Sequence, residues 1–303
     1  MTVAAAEELR VSLVVDPWLR DLLVDPISKQ PFVEDTGTRF VAPCGLSYGY
    51  CDGVPDFRVR MPHSARDWAR GQEDYECWFD DYLDVGERDP DFYARELENN
   101  GPLYEALKLS GRVLDVGGGL GHVRQYMDPA QEYCSIDPFT TAAARAAGRE
   151  RLFESYPLSA PLNLLGGYAE FLPLADGGFD TVNMRSCIDH FSIPELALLE
   201  AFRVLRTSGR LIVGMTVDVP LPPPSLRLRF ERARRRIRPA IGRLLGRDRH
   251  EDHHMWHPTY DALMALCGSC GFDLENEVWE SDVVIYASFT RRSELGVAGY
   301  ESA

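Results

Sequence analysis

The chain has 303 residues, of which 45% are hydrophobic, and a formal net charge of −15 at pH 7. This length supports one α/β core with a smaller module, and the acidic surface argues against nucleic acid as a partner, because it would repel phosphates. No stretch approaches the ~20 apolar residues of a membrane span, and no secretory signal pattern opens the chain, so we expect a cytoplasmic protein. The seven scattered cysteines are typical of a reducing compartment.

Residues 1–60 predict a small β-rich module, in which short apolar runs alternate with turn-forming prolines and glycines. The sequence of this module resembles the zinc-ribbon-like module of activators of tRNA and protein methyltransferases. The four positions that hold zinc ligands in that family are here Asp25, Ser28, Val41 and Cys44. One thiolate and one carboxylate do not make a stable tetrahedral site, so we predict no bound zinc. We expect the degenerate module to pack against the rest of the chain or to form a homodimer.

Residues 61–110 are polar and aromatic, with helical character. The aromatic residues Tyr75, Trp78, Phe79 and Tyr93 allow two interpretations. They either cover a ligand site, as a helical linker and cap, or they form ordinary packing between helices.

A cofactor site is predicted where an apolar strand ends at Asp115 and a glycine turn follows. Glycines 117, 119 and 121 lack Cβ atoms and can take positive φ, so a ligand can lie against bare backbone. A second strand ends at Asp137, at a spacing from Asp115 that suits an acid contacting ribose hydroxyls. A dinucleotide fingerprint would require glycine at position 116 or 122, where Val116 and His122 stand, so pyrophosphate binding is disfavoured.

Several ordered segments together resemble the class I S-adenosylmethionine-dependent methyltransferases, of the type 11-like kind, over residues 102–292. They are the D-x-G-x-G-x-G pattern at 115–121, the acid Asp137, A-E-F-L-P at 169–173, G-F-D-T-V-N-M at 178–184, and R-V-L-R-T-S-G-R at 203–210. The resemblance implies a Rossmann-like, seven-stranded, mostly parallel sheet with helices on both faces. It also implies a domain at 111–292 with an insertion at 218–258 and a tail at 293–303.

The same resemblance implies S-adenosylmethionine as the cofactor. Asp115 and the glycines Gly117, Gly119 and Gly121 would lie near the methionine portion, and Asp137 would bind the ribose. Adenine would be contacted by the segment containing Ala169 and Glu170. The predicted cofactor site also includes Arg185, Tyr75 and Trp78.

The insertion contains a basic amphipathic segment. Between residues 226 and 249 lie ten arginines and two acidic residues, so this segment carries a net charge of +8 and the remainder carries −23. Apolar residues recur at helical spacing opposite the arginines. Three interpretations remain open: a surface helix packed on its acidic neighbour, a lid over an anionic substrate, and a membrane-surface contact through 226–245.

Methyl transfer to an alcohol requires a group that removes a proton. In the fold that the resemblance implies, Asp189 and His190 follow the fourth strand and face the methyl group of the cofactor. His254 and His257 are further candidates, which would approach from the insertion. His253 and His257 are spaced as metal ligands on a helix would be, but Pro258 and the missing third ligand lead us to predict no metal.

We therefore expect a bacterial methyltransferase that acts on an oxygen or nitrogen nucleophile of a small molecule, such as a specialised metabolite or a sugar-containing intermediate. The N-terminal module and the basic segment support a second hypothesis, in which tRNA or a protein is the acceptor. A third hypothesis is a protein that binds the cofactor without catalysis or without methylating.

Overall fold

The computed structural model describes residues 11–60, 65–218 and 254–295. The N-terminal part contains one short helix and five very short strands. They are α1 (Pro17–Arg20), β1 (Glu34–Asp35), β2 (Phe40–Val41), β3 (Ser47–Tyr48), β4 (Tyr50–Cys51) and β5 (Val54–Pro55). β1, β2 and β3 form one antiparallel sheet, and β4 and β5 form another. The predicted β character of this part therefore appears as short antiparallel pairs.

Two long helices lead into the central domain, and the remaining helices alternate with strands. The helices are α2 (Ala65–Arg88), α3 (Phe92–Leu107), α4 (Ala142–Ala146), α5 (Glu150–Ser155), α6 (Pro194–Val204) and α7 (Tyr260–Ser269). The strands are β6 (Val113–Val116), β7 (Tyr133–Asp137), β8 (Leu164–Gly166), β9 (Phe179–Arg185), β10 (Leu205–Thr216), β11 (Phe272–Trp279) and β12 (Val284–Arg291). Three short 3₁₀ helices lie at His122–Tyr126, Ala169–Phe171 and Ile188–His190.

Strands β6 to β12 form one sheet in the order β11-β12-β10-β9-β6-β7-β8. The pairs from β10 to β8 are parallel, and β12 is antiparallel to both of its neighbours. The predicted seven-stranded, mostly parallel sheet is confirmed. Its strand order reverses between β6 and β9, and ligands of such sheets bind at this point, outside the carboxyl ends of the strands.

The central strands are buried on both faces because helices cover both sides of the sheet. All residues of β6 and β7 are buried, which explains why both read as nearly continuous apolar runs. Successive residues of a strand point to opposite faces, and accordingly Val113 and Leu114 belong to two different core clusters. The two acids at the ends of these strands are therefore held by rigid, fully packed elements.

The N-terminal part and the central sheet share a hydrophobic core. Leu19, Phe40 and Phe57 pack in the same cluster as sheet residues such as Leu165. Phe57 N–H also donates to the carbonyl of Gly166 at 2.7 Å, on the edge strand β8. This contact covers a sheet edge that would otherwise expose unpaired backbone groups. The N-terminal part and the central sheet therefore share one core, and the domain boundary at residue 60 stays a prediction.

Two of the four positions compared with zinc ligands, Asp25 and Ser28, are hydrogen-bonded to each other. The fully buried carboxylate of Asp25 accepts hydrogen bonds from the hydroxyls of Ser28 at 2.5 Å and Tyr48 at 2.7 Å. Burial alone would raise the pKa of Asp25, but these hydrogen bonds hold it below its ordinary value. Cys44 is exposed. The prediction that no zinc is bound stays a prediction, and Asp25 has a structural role without it.

The basic segment predicted at 226–249, most of the insertion predicted at 218–258 and the last eight residues of the tail lie outside the described residues. Among the helices of the described ranges, none combines the length and the apolar character needed to cross a bilayer.

Candidate cofactor and acceptor site

The glycine turn after β6 has the backbone geometry that the sequence predicts. Gly117 and Gly121 have φ values of 69° and 75°, which disfavour any residue with a Cβ atom. A Cβ atom at Gly117 would also lie 2.8 Å from the Cβ of Cys187, in the loop after β9. At Gly119, by contrast, no described residue lies within 4 Å of where a Cβ atom would be, so this part of the turn is open to a ligand.

Asp115 connects the strand that leads into this turn to the two neighbouring strands. Its carboxylate accepts hydrogen bonds from the Tyr133 hydroxyl and from the Asn183 side-chain amide, both at 2.7 Å. Burial raises the pKa of Asp115 to about 6, although both hydrogen bonds favour the charged form. Asp115 thus joins three neighbouring strands. Its contact with the methionine portion of the cofactor stays a prediction.

Asp137 connects the predicted ribose site to the glycine turn. Its carboxylate accepts backbone N–H groups from Gly119 at 3.1 Å and from Phe139 at 2.7 Å. Burial raises the pKa of Asp137 to about 6. Because each carboxylate oxygen has two lone pairs, both oxygens can still accept a ligand hydroxyl. The structure places this acid beside the turn, as the resemblance implies.

The loop that carries Asp137 is braced by the N-terminal part. Arg58 donates from Nη1 to the carbonyl oxygen of Pro138 at 3.2 Å. The same guanidinium is fixed by two hydrogen bonds to Asp56, at 2.8 and 2.7 Å. Thr140 donates to the sulfur of Cys51 at 3.5 Å. No local motif marks Arg58 or Cys51, so the sequence alone does not indicate their role.

Helix α2 contacts the same loop from the other side. The rings of Tyr75 and Phe79 meet the ring of Phe139 edge-on, with centroids 5.2 and 5.3 Å apart. Trp78 stacks on Tyr75 at 5.6 Å and remains 53% exposed. Burial and the charge of Asp137 raise the pKa of the Tyr75 hydroxyl. Helix α2 thus brings Tyr75 close to Asp137, while Trp78 lies on its outer side, and the contacts of both residues with the cofactor stay predictions.

Glu170 has a role that the sequence did not indicate. Its buried carboxylate accepts the backbone N–H groups of Ser192 at 2.8 Å and Ile193 at 3.3 Å, just before helix α6. An acid at a helix N-terminus is favoured by the unpaired N–H groups and by the helix dipole. The predicted contacts of Ala169 and Glu170 with adenine stay predictions. In this structure the Glu170 side chain binds backbone N–H groups at the start of helix α6.

Arg185 lies at the end of β9, between that strand and helix α3. Its Nε donates to the Tyr286 hydroxyl at 3.1 Å, and its Nη2 donates to the Asn100 side-chain oxygen at 2.6 Å. The guanidinium also lies within 5.9 Å of the ring centres of Tyr104 and Tyr286. Such aromatic contacts stabilise a partly buried cation.

All four predicted acceptor-side residues come together, although they are distant in sequence. Nε2 of His254 lies 3.6 Å from a carboxylate oxygen of Asp189. The rings of His190 and His254 stack with centroids 4.6 Å apart, and the ring of His257 lies 5.6 Å from that of His254. The backbone N–H groups of Met255 and Trp256 hold this arrangement by donating to the carbonyl oxygen of Asp189.

This cluster can accept or move a proton, because an imidazole can act as a general base and a carboxylate can orient it. Oδ1 of Asp189 is buried and has no hydrogen-bond partner in the described ranges. Ligand atoms of Asp189, His190 and His254 lie within 4.8 Å of one another, a set that a divalent cation also accepts. The absence of a metal stays a prediction.

A cavity of about 600 Å³ opens beside the cluster, between helices α6 and α7. Its lining includes Phe191 and Ser192, which follow His190, and Met255 and Trp256, which follow His254. The space next to the acceptor-side residues is therefore large enough for a small organic molecule.

Comparisons with known proteins agree with this geometry. Residues 114–213 match a family model described as a methyltransferase domain. The ubiquinone/menaquinone biosynthesis C-methyltransferase UbiE of Dinoroseobacter shibae is 32% identical over 175 residues, which cover 55% of this chain and 68% of that protein. The protein of the same name from Methylobacterium nodulans is 31% identical over 170 residues, covering 53% and 65%.

One similar solved structure is the 1,6-didemethyltoxoflavin-N1-methyltransferase of Burkholderia thailandensis with bound 1,6-didemethyltoxoflavin and S-adenosylhomocysteine. It is 14% identical, with a TM-score of 0.45, and the match covers 86% of this chain and 98% of that one.

The chain belongs to the class I S-adenosylmethionine-dependent methyltransferases. It is an enzyme, and S-adenosylmethionine is its cofactor. The residues fit this cofactor, because Gly119 faces space that no described residue fills, and Asp137 stands beside it with accepting oxygens.

Proposed function

We propose that the protein transfers the methyl group of S-adenosylmethionine to an oxygen or nitrogen nucleophile of a small molecule. A specialised metabolite or a sugar-containing intermediate in a bacterial cytoplasm is the acceptor class that we favour. The observation that carries the proposal is the convergence of Asp189, His190 and His254 beside the turn. Cys187, two residues before Asp189, connects this cluster to the glycine turn. Its thiol donates to the carbonyl of Val116, just before the turn, at 3.2 Å.

In this proposal one part of the site binds the cofactor, and another part binds and activates the acceptor. The cofactor supplies an activated methyl group, and the glycine turn with Asp137 holds it. The acceptor enters beside helices α6 and α7, where a cavity is available. His190 or His254 removes the proton of an acceptor hydroxyl, and Asp189 orients the imidazole and stabilises its charged form. Alignment of the acceptor with the S–CH₃ bond supplies the rest of the rate enhancement.

A carbon nucleophile is the second candidate, because the two UbiE relatives are named as C-methyltransferases. Methylation at carbon requires an enolate or phenolate, which the same imidazoles can generate by removing a proton. The two candidates therefore share residues and differ in the acceptor atom.

The test is to incubate the purified protein with methyl-labelled S-adenosylmethionine and separate pools of small metabolites, tRNA and protein. We expect label in small molecules, at oxygen or nitrogen by NMR, and loss of transfer in a variant that combines Asp189→Asn with His190→Ala. Label at carbon supports the second candidate, and label in tRNA or protein contradicts both. Cofactor binding without transfer to any pool supports a non-catalytic role.

A further inference from the structure

Arg185 differs from most other described arginines because no carboxylate forms an ion pair with it in the described ranges. Twelve of them form an ion pair with a carboxylate, for example Arg149 with Asp84 at 2.6 Å. Many of those pairs are at the surface, where water would solvate the charge in any case. Arg185 is mostly buried, and it makes no ion pair with a carboxylate in the described ranges. A cation removed from water is expected to have an anionic partner.

The hydrogen bonds of Arg185 leave donors available. A guanidinium has five N–H donors. In the described chain Arg185 uses one at Tyr286 and one at Asn100, and its Nη1 group makes no hydrogen bond. Three donors therefore remain, including a pair on one nitrogen that suits a carboxylate.

A second polar group near Arg185 also has no partner. The hydroxyl of Tyr104 is buried and makes no hydrogen bond of normal distance and angle to any described residue, although it lies close enough to Arg185 for that charge to act on its pKa. The ring of Tyr104 is 2% exposed and lies 5.9 Å from the guanidinium. Asn100 and Tyr104 are four residues apart on helix α3, so both face β9. An unpartnered buried hydroxyl beside a buried cation is the donor pair expected at a site for an anion.

The titratable neighbours of Arg185 leave its free donors available. His122 accompanies the glycine turn, and burial followed by the charge of Arg185 lowers its pKa to about 4, so it is neutral at pH 7. Asp115 is the nearby acid whose pKa responds to Arg185, and both of its oxygens are hydrogen-bonded to Tyr133 and Asn183. Neither Asp115 nor His122 occupies the free donors of Arg185.

We propose that Arg185 and Tyr104 form a carboxylate-binding site in the methyl-transfer cleft. The carboxylate belongs either to the methionine portion of the cofactor or to an acidic acceptor. Both sources use the same chemistry, in which the Nη1 donors of Arg185 and the Tyr104 hydroxyl bind the two oxygens. The acceptor source rests on the proposed function, whereas the cofactor source needs only the cofactor.

Calorimetry with two ligands tests the cofactor source. S-Adenosylhomocysteine carries the carboxylate, and 5′-S-(3-aminopropyl)-5′-thioadenosine is the same molecule without it. Arg185→Gln is expected to weaken binding of the first ligand by about 10- to 100-fold and to leave the second within about threefold, since charge-assisted hydrogen bonds are lost only with the first. Tyr104→Phe should show a smaller selective loss, and Arg185→Lys should recover part of the affinity.

The acceptor source is tested by titrating 4-hydroxybenzoate into the complex with S-adenosylhomocysteine. If the acceptor provides the carboxylate, the wild type binds this probe, Arg185→Gln does not, and the two adenosyl ligands show no selective loss. Arg291→Gln is the control, because Arg291 is also held over an aromatic ring, Phe202, at 3.9 Å, but away from the cleft.

The proposal is overturned if Arg185→Gln weakens both adenosyl ligands equally, or if it changes neither of them and the wild type does not bind the probe. Thermal unfolding of each variant establishes that it is folded before binding is compared. Failure of the wild type to bind S-adenosylhomocysteine would contradict the cofactor assignment itself, and this result is distinct from either outcome.

Discussion

The ribose side and the acceptor side of the site are built in different ways. On the ribose side, the loop after β7 is held by Arg58 from the N-terminal part and by the Tyr75 and Phe79 rings from helix α2. On the acceptor side, His190 and His254 are exposed, and His254 is attached through backbone hydrogen bonds from its two successors to Asp189. The first is a rigid, packed structure, and the second is a polar contact between two segments.

This difference indicates a separation of tasks. A packed loop fixes the position of one ligand, which suits a cofactor shared by a whole family. An exposed cluster beside a cavity can change its residues without disturbing a core, which suits an acceptor that differs between relatives. Changes on the acceptor side should therefore alter turnover, and changes on the ribose side should alter cofactor affinity.

The largest expected effect is on turnover. His190→Ala should lower kcat by about 100-fold, the lower end of what a general base contributes, with cofactor affinity nearly unchanged. Single-turnover kinetics with a transferred methyl label would measure this change, once an acceptor has been found with the labelled pools. Glu34→Ala, at an exposed ion pair with Arg39 outside the site, is the control. An unchanged rate for His190→Ala would exclude this residue as the base and leave His254 as the remaining candidate.

The second effect is a pH dependence of stability on the ribose side. The pKa of Asp137 is about 6 in the folded protein and near 3.8 when unfolded, so the folded state binds more protons between these values. The free energy of unfolding should therefore fall as pH rises from about 4 to 6, by about 2 to 3 kcal/mol from this group.

Urea unfolding of the cofactor-free protein and of Asp137→Asn across pH 4 to 7 would measure it. The difference between the two proteins isolates Asp137, because both retain the same slope from Asp115, whose pKa is also raised to about 6, and the opposite slope from His122, whose pKa is lowered to about 4. Parallel pH profiles for the two proteins would be incompatible with a buried, neutralised Asp137.

The third prediction concerns cofactor affinity. Asp137→Ala should weaken binding of S-adenosylhomocysteine by more than about tenfold, because the carboxylate both accepts ribose hydroxyls and holds the N–H of Gly119. Calorimetry would measure the change, with the exposed Asp35→Ala as a control. Equal affinity for Asp137→Ala and wild type would refute the ribose assignment.

The smallest effect on cofactor binding should come from the hydrogen bond between Arg58 and the loop after β7. Arg58→Gln should weaken cofactor binding by about three- to fivefold, since one hydrogen bond to the loop at Pro138 is lost. The KM for the cofactor should rise while kcat stays the same. Arg39→Gln, at an exposed pair with Glu34, should have no effect. A fall in kcat without a change in KM would place the role of Arg58 elsewhere.

The sequence predicts those parts of the fold and site that depend on local pattern. The glycine turn, Asp115 and Asp137 are recognisable because strand, turn and acid follow one another within a short segment, and their strands pair as expected. The contact of Arg58 with Pro138 joins residues 80 positions apart, and no pattern in either segment indicates it.

The same limit applies to Glu170 and to the histidines. Glu170 lies in a motif that implies adenine binding, but the position of helix α6 decides what its carboxylate contacts. His254 could be named as a candidate from its type, whereas its position beside Asp189 depends on how the chain returns after the insertion. Tertiary contacts of this kind are determined by packing over the whole domain.

The most direct test of the account is a crystal structure of the protein with S-adenosylhomocysteine. We predict that the adenosyl group lies over the glycine turn at 117–121, with its ribose hydroxyls on the Asp137 carboxylate and its sulfur facing the cluster of Asp189 and His190. A ligand bound elsewhere, with side chains filling the space above the turn, would contradict the account.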